Sequence, residues 1–137
     1  MIVVDASVLT DLLLGREQSM KALEREQRGH EHESLHAPEV IEPETLNALR
    51  KLSIRGRVST RRATEAVADL ANLRLVRYPH EPLRTRMWEL RDLLTAYDAA
   101  YVALAEVLGD ALLLSADKGQ ATAATKILGV GRVRLVG

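Results

Sequence analysis

"IVVDASVLTDLLLG", residues 2–15, holds a complete strand-to-helix transition. Ile2–Asp5 is a short β-branched run that suits a strand buried on both faces of a parallel sheet. It ends on an acid. A helix is predicted from about Ser7 to Leu14, closed by Gly15. The same order returns late in the chain. Ala111–Ser115 is a fully apolar strand, Asp117 stands at an N-cap position, and a helix is predicted over Asp117–Leu128.

The segments between extend this alternation. A charged helix is predicted over Glu17–Arg28, then a weak strand at Ser34–Ala37 bounded by Pro38. Glu42–Leu52 follows as a helix with Pro43 in its first turn, where proline is tolerated. Gly56 breaks it, and Ser59 or Thr60 caps a helix carrying Ala63, Val67 and Leu70. Leu73–Arg77 reads as a strand, and Pro82 opens a helix with Leu83, Met87, Leu90 and Leu94 on one face. In "LTAYDAAYVALAE", residues 94–106, helical spacing puts Tyr97, Tyr101, Leu104 and then Val107 or Leu108 on a buried face; Gly109 ends this helix. Thr95-x-x-Asp98 has the form of a capping box, with Asp in place of the usual Glu or Gln. Arg132–Val136, with arginines alternating with Val133 and Leu135, suits an edge strand. The sum is an α/β chain: one domain over residues 1–137, a mostly parallel sheet of about five strands, and helices on both sides in three layers.

Composition narrows the function. The chain has 137 residues, 47% apolar and 28% charged, as a folded domain requires. It has no cysteine, which excludes disulfides and thiolate-bound metals and is compatible with the cytoplasm. The start "MIVVDAS" lacks the basic region of a signal peptide, and no apolar run is long enough to span a bilayer. Net charge is zero, but charge is segregated. "RKLSIRGRVSTRR", residues 50–62, carries Arg50, Lys51, Arg55, Arg57, Arg61 and Arg62 and no acid, whereas eight glutamates lie between Glu17 and Glu44. The basic stripe can meet phosphates or serve as an ordinary solvated face. Aromatics are few (Tyr78, Trp88, Tyr97 and Tyr101), which argues against a base-stacking platform.

Sites in parallel α/β sheets form beyond the carboxyl ends of the strands. Asp5 ends the first strand, Asp117 follows the strand Ala111–Ser115, Asp98 opens a helix, and Glu44 lies in the first turn of another. Each acid taken singly has a local explanation as a cap or a dipole partner. Gathered at one sheet edge, they repel: two charges about 4 Å apart cost about 4 kcal/mol at an effective dielectric of 20. A hard cation with oxygen ligands, Mg²⁺ or Mn²⁺, offsets that cost and can activate a water against a phosphodiester. Ser7 and Ser115 are small hydroxyls beside the cluster, able to orient a ligand or simply to close turns.

Four segments in this order, "IVVDASVL" (2–9), "PETLNALRKL" (43–52), "LRDLLTAYDAAYVALAE" (90–106) and "LLLSADKG" (112–119), resemble the PIN-domain ribonucleases, and in particular the VapC-type toxins of bacterial toxin–antitoxin pairs. The resemblance covers essentially the whole chain. It implies a PIN-like fold, an acidic quartet of Asp5, Glu44, Asp98 and Asp117 as catalytic and metal-holding residues, and Mg²⁺-dependent cleavage of RNA. Glu42 and Asp92 are set aside as decoys. The resemblance also implies a homodimer, a cognate VapB-type antitoxin, and a heterotetramer or larger assembly with it. The apolar side of Val8–Leu14 and Met20–Leu23 is the groove it suggests for that antitoxin. RNA backbone contacts are expected from Arg50, Arg55, Arg57, Arg61 and Arg62, with Ser7 and Ser115 near the substrate.

Other classes fit these residues less well or no better. A phosphoacceptor receiver domain wants paired acids after the first strand, where Asp5 stands alone; a D-x-D phosphatase fails because position 7 is Ser. A non-catalytic module on the same fold would not need all four acids, and DNA as substrate is chemically indistinguishable from RNA here. His30 and His32 cannot complete a zinc set without cysteine. "GVGR" at 129–132 precedes a strand, the reverse of a dinucleotide-binding loop, and no G-x-S-x-G elbow is present.

Overall fold

The apolar runs at the two ends of the chain become neighbours in the middle of one sheet. In the computed structural model, which describes residues 1–137, β1 (Ile2–Val4) pairs in parallel with β4 (Leu112–Ser115), Val3 opposite Leu113 and Val4 opposite Leu114. On its other side β1 pairs with β2 (Leu35–Pro38), which pairs with β3 (Leu75–Tyr78); β5 (Val133–Leu135) closes the far edge against β4. The order β3-β2-β1-β4-β5 is parallel throughout. Val3, Val4, Leu113 and Leu114 are fully buried, which is why these central strands carry no polar alternation.

Helices α1 (Ala6–Leu13), α2 (Glu17–Glu26), α3 (Ile41–Ile54), α4 (Thr60–Leu70), α5 (Arg84–Glu89), α6 (Ala96–Val107) and α7 (Lys118–Leu128) connect the strands. The caps follow the sequence. Asp5 accepts from the Val8 N–H, Ser59 from Arg62, Thr95 from Asp98 and Asp117 from Gln120, each the first side chain before its helix. Gly129 follows α7 at φ 94°, a left-handed conformation that a side chain would resist. No helix is long and apolar enough to cross a membrane.

Three expectations need correction. The helix opened by Pro82 does not run to Leu94: a 3-10 turn (Glu81–Leu83) leads into the short α5, and residues 90–94 form turns. Thr95 must take an extended conformation to cap α6, and the chain turns before it. Leu83, Leu90 and Leu94 are nonetheless buried, with Met87 packed beside them. Second, α6 has no single apolar stripe. Tyr97 and Val107 are 61% and 69% exposed, while Ala99 through Ala105 are all buried. Alanines let neighbouring elements approach this helix from several sides, so its burial exceeds any one face. Third, Leu135 is exposed on β5, and Val133 and Val136 are the inward residues.

The inward side of α1 is spent on the core, with Val8, Leu9 and Leu13 buried. Leu12 and Leu14 are left half-buried and Met20 exposed. Arg62 reaches across from α4 to donate to the Leu13 carbonyl at 2.8 Å, satisfying the C-terminus of α1. Truncating Leu113→Ala in the central strand β4 should cost about 2–5 kcal/mol in urea unfolding, against less than about 0.5 kcal/mol for Leu135→Ala at the edge.

Candidate active site at the sheet switch point

The strand order reverses between β1 and β4: β2 and β3 extend one way, β5 the other. The chains leaving β1 and β4 therefore diverge and open a crevice beyond their carboxyl ends. Asp5 is the first residue after β1, and Asp117 lies two beyond β4. Asp98 sits in the first turn of α6 and Glu44 in the first turn of α3. The acids are coupled in pairs. Asp117 raises the pKa of both Asp5 and Asp98, and Asp98 and Asp5 raise that of Glu44. The structure thus brings together the four acids singled out in the sequence.

Each is held differently. Asp5 is 1% exposed. Its Oδ1 caps α1 by accepting from the Val8 N–H at 3.1 Å and also accepts from the Ser7 hydroxyl. Its Oδ2 is buried with no hydrogen-bond partner. Burial pushes the Asp5 carboxyl above the usual carboxylate range; Ser115, Ser7 and the Val8 N–H pull it back, and the Asp117 charge adds to the rise. Ser7 also accepts from the Ala116 N–H at 2.9 Å, tying the loop after β1 to the loop after β4. The Ser115 hydroxyl closes the turn to Asp117, accepting from its N–H at 3.0 Å. Both serines are thereby engaged within the protein, next to the acids they orient.

Glu44 is half-buried. Its Oε1 accepts a 2.6 Å hydrogen bond from the Tyr101 hydroxyl, which links α6 to α3 across the site. Burial raises the Glu44 pKa, Tyr101 opposes the rise, and Asp98 and Asp5 add to it. Tyr101 is itself 1% exposed and stays protonated, because burial and the adjoining carboxylates both resist a phenolate. Sequence reading took Tyr101 only as part of a buried face. The available signal was that a buried tyrosine needs a partner for its hydroxyl, and that position 101 lies one helical turn from Asp98.

The capping box is half formed. Thr95 accepts from the Asp98 N–H at 3.2 Å, but the Asp98 carboxylate makes no return bond to the backbone. The cap is therefore Thr95. Burial raises the Asp98 pKa, the Asp117 charge adds to this, and Thr95 opposes it. Asp117 is exposed, with Oδ1 accepting from the Gln120 N–H at 2.9 Å. A Cβ at Gly119 would stand 3.3 Å from that oxygen, so glycine keeps the space beside it open.

The donor set is all oxygen and includes one buried oxygen with no partner, which suits a hard divalent cation. No three of the acids are placed to grip a single ion directly.

The set-aside acids are elsewhere. Glu42 pairs with Arg77 of β3, and Asp92 is exposed in the turns after α5. His36 bonds the Tyr78 hydroxyl and His80 accepts from the Val40 N–H, so both serve packing and the start of α3. The basic stripe lies away from the quartet. At 1.5 Å per residue, Arg50 is about 9 Å and Arg55 about 16 Å further along the α3 axis than Glu44. Arg61 and Arg62 pair with Glu65. Arg50, Arg55 and Arg57 are exposed and unpaired.

Comparison with known proteins shows the family of the chain. The PIN domain family matches residues 2–126. The chain is 38% identical over 125 residues to the VapC ribonuclease Mb0985 of Mycobacterium bovis, covering 88% of this chain and 93% of that one. It is 40% identical over 123 residues to ribonuclease VapC1 of Mycobacterium tuberculosis, covering 88% and 89%. The crystal structure of PAE2754 from Pyrobaculum aerophilum superposes with a TM-score of 0.63 at 27% identity, covering 89% of this chain and 78% of that one. The chain belongs to the PIN-domain family, within its VapC-type ribonucleases.

In metal-free protein Asp98→Asn should leave stability unchanged or raise it, whereas Thr95→Ala should lower it by about 0.5–2 kcal/mol. A carboxyl whose folded pKa is raised contributes stability that is full below its unfolded value, about 3.9, and lost as pH rises through the folded value. Any gain in Asp98→Asn should therefore appear at neutral pH and vanish in acid. Urea unfolding in EDTA at the two pH values measures it.

Proposed function

We propose that this protein is a toxic Mg²⁺-dependent endoribonuclease, with Mn²⁺ as a substitute metal, that hydrolyses RNA phosphodiester bonds in the cytoplasm and is neutralised by a cognate VapB-type antitoxin. The observation that carries this is the buried, unpartnered Asp5 Oδ2 at the switch point, with Glu44, Asp98 and Asp117 electrostatically coupled around it. A purely structural role would not retain four repelling acids, so the catalytic reading is favoured over a binding module on the same fold.

A divalent cation held here would polarise the phosphodiester and supply a nucleophilic water at neutral pH. The chain's residues have separate tasks. Asp5 and Asp117 would hold the cation from beyond the ends of β1 and β4. Ser7 fixes the Asp5 carboxylate and the spacing of the two loops. Asp98 and Glu44 accept hydrogen bonds from waters in the crevice, and Tyr101 holds Glu44 in its rotamer. The leaving 3′ or 5′ oxygen takes a proton from solvent, since Asp117 is open to water.

A homodimer, and a heterotetramer or larger assembly with antitoxin, is proposed; Leu12, Leu14, Leu23 and Met20 form the apolar surface left on α1 and α2 for an antitoxin segment. The unpaired Arg50, Arg55 and Arg57 are proposed to meet RNA phosphates outside the crevice.

Purified protein should cut single-stranded RNA with Mg²⁺ and stop in EDTA. Asp5→Asn should lower the rate by more than about a hundredfold, since even indirect partners of metal ligands cost 10–100-fold. Cleavage by Asp5→Asn at the parental rate would overturn the assignment. For the stripe, charge reversal at Arg55 and Arg57 should weaken RNA binding and flatten its dependence on salt. A parental salt slope would remove these residues from the RNA path.

A further inference from the structure

An acidic crevice repels the phosphates it has to process, so the substrate needs cationic or stacking contacts close by. The stripe does not supply them at the scissile bond, because it lies along the far half of α3. A different surface does. A recess lined by Val40, Pro43, Glu44, Asn47 and Tyr97 opens beside Glu44. Val40 and Tyr97 also line the next recess, together with His80, Met87 and Ala96. His80, Met87 and Ala96 in turn line a third, of about 530 Å³, whose outer wall is Arg84, Trp88 and Arg91. These shared walls make one trough from Glu44 past Tyr97 to Trp88. A volume of that size accommodates a nucleotide.

The lining has two unusual properties. Of the chain's four aromatic side chains, the trough displays the two most exposed, Tyr97 at 61% and Trp88 at 67%. The outermost recess carries two guanidinium groups and no acid. Arg84 makes no ion pair. Arg91 lies 4.7 Å from the centre of the indole and donates only to the Trp88 carbonyl at 3.0 Å. A stacked Trp–Arg pair of this kind offers a π surface and free N–H donors together.

We propose that this trough holds the single-stranded RNA flanking the scissile bond: one base on Tyr97, a neighbouring base on the Trp88–Arg91 pair, and backbone phosphates on Arg84 and Arg91. This rests on the ribonuclease assignment and extends it to the substrate contacts. The proposal departs from the expectation from composition that the chain has no stacking platform: two well-placed aromatics suffice where many scattered ones would not. Stacking of this type tolerates sequence variation, and selectivity would come from the edges of the bases that reach His80 and Asn47.

The chain's single tryptophan makes the test direct. A short single-stranded RNA of randomised sequence, titrated in EDTA, should quench Trp88 emission saturably. With Mg²⁺, Trp88→Ala should lower kcat/KM by about five- to hundredfold, mostly through KM, and Trp88→Phe should retain most of the activity. Arg84→Ala with Arg91→Ala should weaken binding and reduce its salt dependence. Thermal unfolding checks that the exposed positions leave the fold intact. Parental cleavage by Trp88→Ala, or RNA binding without change in emission, would overturn the trough while leaving the ribonuclease assignment standing. A parent that neither binds nor cuts RNA with Mg²⁺ or Mn²⁺ would remove both. Emission that instead follows protein concentration, with a doubled mass lost in Trp88→Ala, would give the trough to a second copy of the chain and overturn the proposal.

Discussion

A carboxylate buried between the ends of two parallel strands is the constraint around which this molecule is organised. Asp5 must leave β1, start α1 and face the loop after β4, all within one residue. Its Oδ1 satisfies a helix N-terminus and a serine hydroxyl; its Oδ2 is satisfied by nothing in the chain. An unpaired buried oxygen carries a cost. It persists where the surroundings over-determine its position, and here Ser7 does so by bonding both the carboxylate and the loop after β4. The other three acids are arranged about this point by independent elements, so their mutual repulsion is resisted by the packing of α3, α6 and α7 against the sheet.

The same packing explains how a poorly aromatic chain can present a stacking surface. Burial of α6 on several sides leaves its two ends projecting to solvent, with Tyr97 outward beside Asp98 in the first turn. The short α5 and the turns after it place Trp88 and Arg91 on the same side.

Much of the fold was legible. The β-branched and apolar runs at 2–5 and 111–115 identify the central strands because burial on both faces removes polar alternation. Asp5, Ser59, Thr95 and Asp117 mark helix starts because caps are local. Less legible were α5 and the true faces of α6 and β5. Their burial depends on how many neighbours surround them, and alanine-rich segments carry little periodic signal. At the candidate site, the four acids were singled out by their places at strand ends and helix starts, with the resemblance choosing Glu44 over Glu42. Tyr101 was missed as a partner of Glu44, since a contact between residues 57 positions apart leaves no local pattern.

By itself, then, the sequence determined the alternation of strands and helices, the caps, and the acids at the carboxyl side of the sheet, since propensity, periodicity and capping act over a few residues. Only the tertiary structure decided which strands became neighbours, that β1 and β4 stand at the point of reversal, that one oxygen of Asp5 goes unpaired, that Arg62 caps α1, and that Trp88 and Tyr97 share a trough. Those outcomes are set by packing between segments far apart in the chain, where geometry and desolvation act and local pattern has no hold.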